Sequence, residues 1–239
     1  MTATSQDFLS SLFGLNGKVA VVIGAGGHLC SALSRGFAQA GGQVAVVDLR
    51  EEKATRVALE IASVASAQVK AFQADAVSKE SLTNLREAVL DTFGRVDILV
   101  NGAGINDSTP ILEISVEAWN KVIDSQVTAT MLGSQVFGEV MLRQGNGTII
   151  NISSASAGPP LSRAFAYSVA KAGIVNLTQN LAREWATSGV RVNSIRPGFF
   201  PTEWNRRNFI KPEREAAILG HTPIGRFGDP QELVSAAIW

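Results

Sequence analysis

Six short runs rich in Val and Ile recur along the chain, at 18–23, 44–48, 69–73, 96–100, 148–152 and 190–195. Several are apolar at consecutive positions, so both faces must be covered, as in strands of a sheet with helices on either side. The intervening segments 29–41, 51–66, 79–93, 115–143 and 164–187 carry helical patterns. Strand and helix alternating through short connections predict an α/β fold, a doubly wound parallel sheet of the Rossmann type in a single domain spanning 1–239. The stretch 199–227 mixes Pro, Gly, Trp and Arg without a strand pattern and reads as a loop with a short helix, a natural substrate lid.

Composition narrows the function. Lys plus Arg and Asp plus Glu each number 21, so the formal net charge is +0, and neither a nucleic-acid footprint nor an acidic tail is present. The lone cysteine, Cys30, excludes an intrachain disulfide and favours a reducing, cytoplasmic compartment. Two histidines, His28 and His221, leave little for a metal site, and none is expected. The start of the chain reads as neither a signal nor a transit peptide, and no apolar run approaches a membrane span.

Ligands of such sheets bind beyond the carboxyl ends of the strands, and there the small and polar residues cluster. The first strand runs into Gly24-Ala-Gly-Gly-His-Leu-Cys30, the second ends at Asp48, and the third runs into Asp75. Asn101-Gly-Ala-Gly104, Ser153-Ser154 and Pro197-Gly198 follow the last three. Gly allows the backbone close to a pyrophosphate, and the helix behind it offers free N–H groups. Asp48 stands where a carboxylate can take ribose hydroxyls; capping the helix near Glu51 is its plainer use. A carboxylate there repels the 2′-phosphate of NADP, so NAD is the expected cofactor. Tyr167 and Lys171 lie four apart on one helical face, where an ammonium can lower the phenol's pKa for acid/base work. An ordinary aromatic–lysine pair is the alternative. Ser154, 13 residues earlier (167 − 154), is placed to bind a carbonyl or hydroxyl oxygen.

Ser154, Tyr167 and Lys171 in this spacing, with the glycine turn, Asn101-Gly-Ala-Gly104, Asn193 and Pro197-Gly-Phe-Phe-Pro-Thr202, resemble the short-chain dehydrogenase/reductase family. The resemblance runs from about Leu12 to Trp239. The stretches from Pro197 to Glu203 and from His221 to Asp229 look most like sugar-acid and polyol members, the gluconate and mannonate (fructuronate-reducing) kinds. It implies an oxidoreductase in which Tyr167 is the general acid/base, Lys171 its partner on the nicotinamide ribose, and Ser154 the holder of the substrate oxygen. It further implies cofactor contacts from Gly24, Gly26, Gly27, His28 and Leu29, with Asp75 and Ala76 flanking the adenine. Asn101, Ala103, Pro197, Gly198 and Phe200 would line the cleft, and Thr202 would meet the carboxamide.

Three departures stand out. His28 and Cys30 replace two glycines of the usual turn, which should alter its course slightly. Gln126 takes the place of an active-site Asn that orders a proton-relay water, so a displaced relay is expected. Members of the family continue into a final strand and an oligomer-contacting tail, so six strands are expected here, without that last one. Helices at 115–143 and 164–187, with Val136, Phe137, Val140, Leu177 and Leu181, are expected to pair with a second copy in a homodimer or homotetramer. Arg163, Arg206, Arg207 and Lys211 border the expected substrate mouth, either to meet a carboxylate or as solvated surface; Trp204 and Phe209 stand nearby as lid or packing residues. The partner is a small molecule, not nucleic acid or membrane. A rival reading is a dinucleotide-binding regulator or scaffold that has lost turnover. A Ser-His hydrolase is excluded by the lack of a Gly-x-Ser-x-Gly elbow.

Overall fold

The computed structural model describes residues 5–159, 161–202, 206–207 and 210–239; Glu203, Trp204 and Phe209 lie outside them. Six strands form one parallel sheet: β1 (Val19–Ile23), β2 (Gln43–Asp48), β3 (Val69–Gln73), β4 (Ile98–Asn101), β5 (Gly147–Ile152) and β6 (Val190–Ile195). Their order is β3-β2-β1-β4-β5-β6, every pairing parallel. The chain winds outward from β1 to β3, then returns to β4 on the other side of β1. That reversal opens a crevice between the carboxyl ends of β1 and β4, the place where such sheets hold ligands.

All five residues of β1 are buried, which explains its unbroken apolar run. One layer consists of α2 (His28–Gln39) and α3 (Glu51–Ala62), with Leu33, Phe37, Val57 and Ile61 in its core. The opposite layer contains α4 (Lys79–Phe93), α5 (Val116–Ile123), α6 (Ala129–Gln144) and α7 (Phe165–Trp185). Leu82, Leu85, Val89, Phe137 and Met141 fill the space under it. An N-terminal α1 (Ser5–Phe13) precedes the sheet, and α8 (Pro212–Gly220) and α9 (Glu232–Ile238) close the described chain. Among the described residues, no helix is long and apolar enough to cross a membrane.

Two expectations change. The predicted helix over 115–143 is broken by a π-turn at Asp124–Thr128, between α5 and α6. Thr130 Oγ1 donates to Gln126 O (2.7 Å) across it, an added acceptor bond of the kind that bends helices. Val136, Phe137 and Val140, expected on a dimer face, are instead buried in this chain's own core. The sheet covers one flank of α6, so its apolar residues are used there. The exposed apolar side chains of this region are Val116, Phe165 and Val169.

Candidate active site

The turn after β1 is shaped by contacts across the crevice. Gly24 has φ +84, and a Cβ there would lie 2.7 Å from Ala103 N. Its N–H and that of Ala25 donate to Val47 O, tying the turn to β2. The sulfur of Cys30, which stands where the resemblance calls for glycine, occupies the volume that a side chain on Gly102 would need, so Gly102 in the loop after β4 leaves it room. Burial pushes the Cys30 thiol up to about 12, leaving it inert. No side chain caps α2 at Gly27, so its first N–H groups point at the crevice without a side-chain acceptor.

Asp48 ends β2 facing that turn. Its Oδ2 accepts from Gly26 N (3.1 Å) and its Oδ1 from Arg50 N (3.1 Å), with Arg50 Nε at 4.0 Å. A Cβ on Gly26 would fall 2.6 Å from Asp48 Oδ2 and 2.8 Å from Lys53 Cβ. The carboxylate does not cap α3, whose N-cap position is Arg50 with no side-chain bond. Asp75 stands at the next strand end, its Oδ1 accepting from Val77 N (3.0 Å) and its N–H donating to Ser81 Oγ (2.9 Å). Ala76, Ala103 and Asn101 border a small void between β1, β4 and α6.

Asn101 departs from the expectation that it faces the cofactor. Its carboxamide turns into the core, donating to Asn151 Oδ1 (2.9 Å) and Ser134 Oγ (3.2 Å). Gly133 makes this possible, because a Cβ there would strike Asn101 Oδ1. Asn151 in turn donates to Thr178 Oγ1 (3.0 Å). These buried polar groups satisfy one another and tie β4, β5, α6 and α7 into one rigid floor.

On that floor stand the chemical groups. Ser154 follows β5 and caps a short 3-10 turn (Ala155–Ala157), its Oγ accepting from Ser156 N (3.1 Å) beside the Tyr167 side chain. Tyr167 and Lys171 project from one face of α7, with Lys171 Nζ 5.3 Å from the Tyr167 ring centroid. Lys171 is buried and donates to Ile152 O (2.6 Å), while Ser153 Oγ donates to Lys171 O (2.8 Å). Burial lowers the Lys171 ammonium to about 8. Burial raises the Tyr167 phenol, and the Ser154 hydrogen bond only partly opposes it. The phenol is therefore raised where Lys171 was expected to lower it: burial sets the direction, only Ser154 opposes it, and the Lys171 donor is directed at the β5 carbonyl.

Gln126 lies in the π-turn and is 2% exposed. Its Nε2 donates to Ile105 O (2.9 Å), which fixes the carboxamide and leaves Oε1 buried without a hydrogen-bond partner. Gly104, at φ +154, keeps open the space the carboxamide occupies. Around the mouth, Arg163, Arg206, Arg207 and Lys211 are exposed. Arg163 holds the left-handed φ of 53, and the Arg206 guanidinium sits 4.8 Å over the Phe227 ring. The stretch after β6 is pinned at its far end by Gly228 N donating to Phe199 O (2.9 Å), with the Phe200 ring against Gly228. Among the described residues, no group of His, Cys, Asp and Glu could hold a metal.

A dinucleotide fits this cradle. The bare turn at Gly24 and Gly26 would admit its pyrophosphate, the uncapped α2 would supply donors, and Asp48 would supply an acceptor for ribose hydroxyls. Fold and site together define a nucleotide-dependent oxidoreductase. The sequence model described as short chain dehydrogenase matches residues 18–213, and the chain belongs to that family. It is 36% identical over 239 residues to D-threitol dehydrogenase of Mycolicibacterium smegmatis, covering 100% of this chain and 91% of that one. Among solved structures, the gluconate 5-dehydrogenase of Burkholderia cenocepacia in complex with NADP and tartrate superposes with a TM-score of 0.88. It is 28% identical and covers 96% of this chain and 90% of its own. An NAD+-bound xylitol dehydrogenase superposes with the same TM-score of 0.88 at 25% identity, over 93% of this chain and 91% of its own.

Proposed function

We propose that the protein is an NAD-dependent dehydrogenase of a small sugar acid or polyol, with Tyr167 exchanging the substrate proton. The observation that carries this reading is the meeting of Ser154, Tyr167 and Lys171 beyond β5, across the crevice from Asp48. Asp48 accepts from the ribose hydroxyls, while the amides of His28 and Leu29 face the pyrophosphate and Gly27, its own amide bound to Gly24 O (3.0 Å), lets the backbone come close. Asp75 and Ala76 border the adenine, and Ala103, Pro197, Gly198, Phe200 and Thr202 border the nicotinamide. The bound nicotinamide supplies or accepts the hydride. Ser154 Oγ holds the substrate oxygen, and Tyr167 takes or returns its proton.

Lys171 is buried beside the phenol with its pKa near 8, so its charge changes in the range where the enzyme would work. Gln126 holds the Gly104–Ile105 loop, and its unpaired Oε1 is the acceptor through which a displaced proton relay would run. The named substrates of threitol, xylitol and gluconate dehydrogenases all carry adjacent hydroxyls, and the exposed cations at the mouth suit a carboxylate as well. The stretch 199–227 is the substrate cover in this reading. Exposed Phe165 and Val169, one turn apart on α7, support pairing with a second copy. The single buried cysteine suits a reducing, cytoplasmic setting.

The test is a screen of sugar acids and polyols with NAD, followed by the absorbance of the reduced cofactor, alongside Tyr167→Phe. Turnover by the unmodified protein and a loss of about 100-fold or more in the variant are expected. Tight NADH binding with no turnover of any member of the screen would favour the scaffold reading.

A further inference from the structure

The turn that carries Ser154 is held from two sides. Ser153 N donates to Ile195 O (2.8 Å) and Ala155 N to Pro197 O (2.9 Å), stitching the turn to the end of β6. Between those two anchors stands Arg196. Its Nε donates to Ser154 O (3.3 Å) and its Nη2 to Ala155 O (3.5 Å), so one guanidinium grips two successive carbonyls. A Cβ on Gly158, at the end of the turn, would lie 2.8 Å from Arg196 Nη2, so the glycine leaves the guanidinium its place. Forked donation is what a planar guanidinium does and an ammonium does not.

We propose that Arg196 is a positioning residue of the active site, which fixes the backbone of Ser154 and thereby aims its hydroxyl at Tyr167. The guanidinium reaches the Ser154 and Ala155 carbonyls, Ser154 Oγ is held by Ser156 N, and Ser154 is the side chain that favours ionisation of Tyr167. Arg196 is itself exposed, and it touches neither phenol nor ammonium. Two groups bear directly on the phenol: Ser154 from the β5 turn, and Lys171 from the same helix. Ser154 O also accepts from Ala157 N (3.1 Å) and Ala155 O from Gly158 N (3.2 Å), so without the grip the turn keeps its internal bonds and loses one of its ties to the end of β6. The Ser154 hydroxyl then spends less time on Tyr167, and the phenolate loses the donor that favours it.

This inference deepens the proposed function by resting on Tyr167 as proton carrier, yet its test does not need a substrate. Tyr167 is the sole tyrosine, so its ionisation can be followed by phenolate absorbance. Arg196→Ala and Ser154→Ala should each raise the titration midpoint, by about half to one pH unit. The double variant should rise no further than Ser154→Ala alone. Arg196→Lys keeps the charge but not the fork and should move the midpoint the same way, which also covers the case in which Arg196→Ala fails to fold. With a substrate in hand, kcat should fall about tenfold while KM for NAD stays within about twofold. An unmoved midpoint in Arg196→Ala and Arg196→Lys, or an equal shift on top of Ser154→Ala, would overturn the proposal. Absence of turnover in the unmodified protein, with the midpoints moving as stated, would instead count against the proposed function alone.

Discussion

Replacing Asp48 by Ser should widen cofactor use to NADP. The carboxylate is fixed by two backbone donors, Gly26 N and Arg50 N, both at 3.1 Å, so it cannot swing aside for a phosphate. A second negative charge about 4 Å away costs about 4 kcal/mol at an effective dielectric near 20. Screening at the crevice mouth reduces that figure, and a residue of about 2.7 kcal/mol is already about 100-fold. The unmodified protein should therefore prefer NAD over NADP by about 100-fold or more in kcat/KM. Serine removes the charge. It also releases Arg50, whose Nε lies 4.0 Å from Asp48 Oδ1, to face a phosphate, with Lys53 packed beside Gly26 close by. The gap should shrink to about tenfold or less. Asp48→Asn, which keeps an acceptor for the turn, separates charge from loop order and should shrink the gap without loosening NAD. The assay is kcat/KM for both cofactors on one substrate, with direct titration of NADPH fluorescence as a second reading. Equal use of both cofactors by the unmodified protein would refute the reasoning.

Three further outcomes follow from particular contacts. Lys171→Met should remove turnover yet raise the melting temperature at pH 7. The buried ammonium has a folded pKa lowered to about 8 by burial, so its cost is present below that value and fades as pH rises toward that of an exposed lysine; thermal melts across pH check this. Asp97 should govern acid stability: although burial opposes its charge, the Arg95 side chain, Val19 N–H and Lys18 hold its carboxyl below the ordinary value. Its contribution is therefore present above about pH 4 and is lost as pH falls through the folded pKa, and Asp97→Asn should flatten the acid limb of the stability curve. Gly102→Ala should cost about 1–3 kcal/mol in denaturant melts, and Cys30→Ala, by removing the sulfur in its way, should restore most of it.

The strands were legible because burial on both faces writes itself as consecutive apolar residues, as in the buried run Val19–Ile23. Helix α1 was missed, although Phe8, Leu9, Leu12 and Phe13 stand at helical spacing. The π-turn leaves no such mark, since one residue added to a helical register does not disturb a short apolar pattern. Nor does sequence reveal that Cys30 fills the space above Gly102, or that Arg196 reaches back 42 positions to Ser154. Those contacts join strand ends that are neighbours only once the sheet has formed.

The candidate site divides along the same line. Residue types and spacing placed Ser154 and Asp48 at strand ends and Tyr167 with Lys171 on one helix face, and a parallel sheet gathers its carboxyl edges into one crevice. Spacing carries no dielectric, however. A spacing of four from Tyr167 to Lys171 implies a charged neighbour, and from that alone a lowered phenol follows. The fold buries both groups, and the ammonium's own pKa falls while the phenol's rises. A carrier held in its protonated form needs its donor from Ser154 more than an exposed phenol would. The turn that aims Ser154, with its anchors at Ile195, Pro197 and Arg196, thus matters to the proton step as much as the neighbouring charge does.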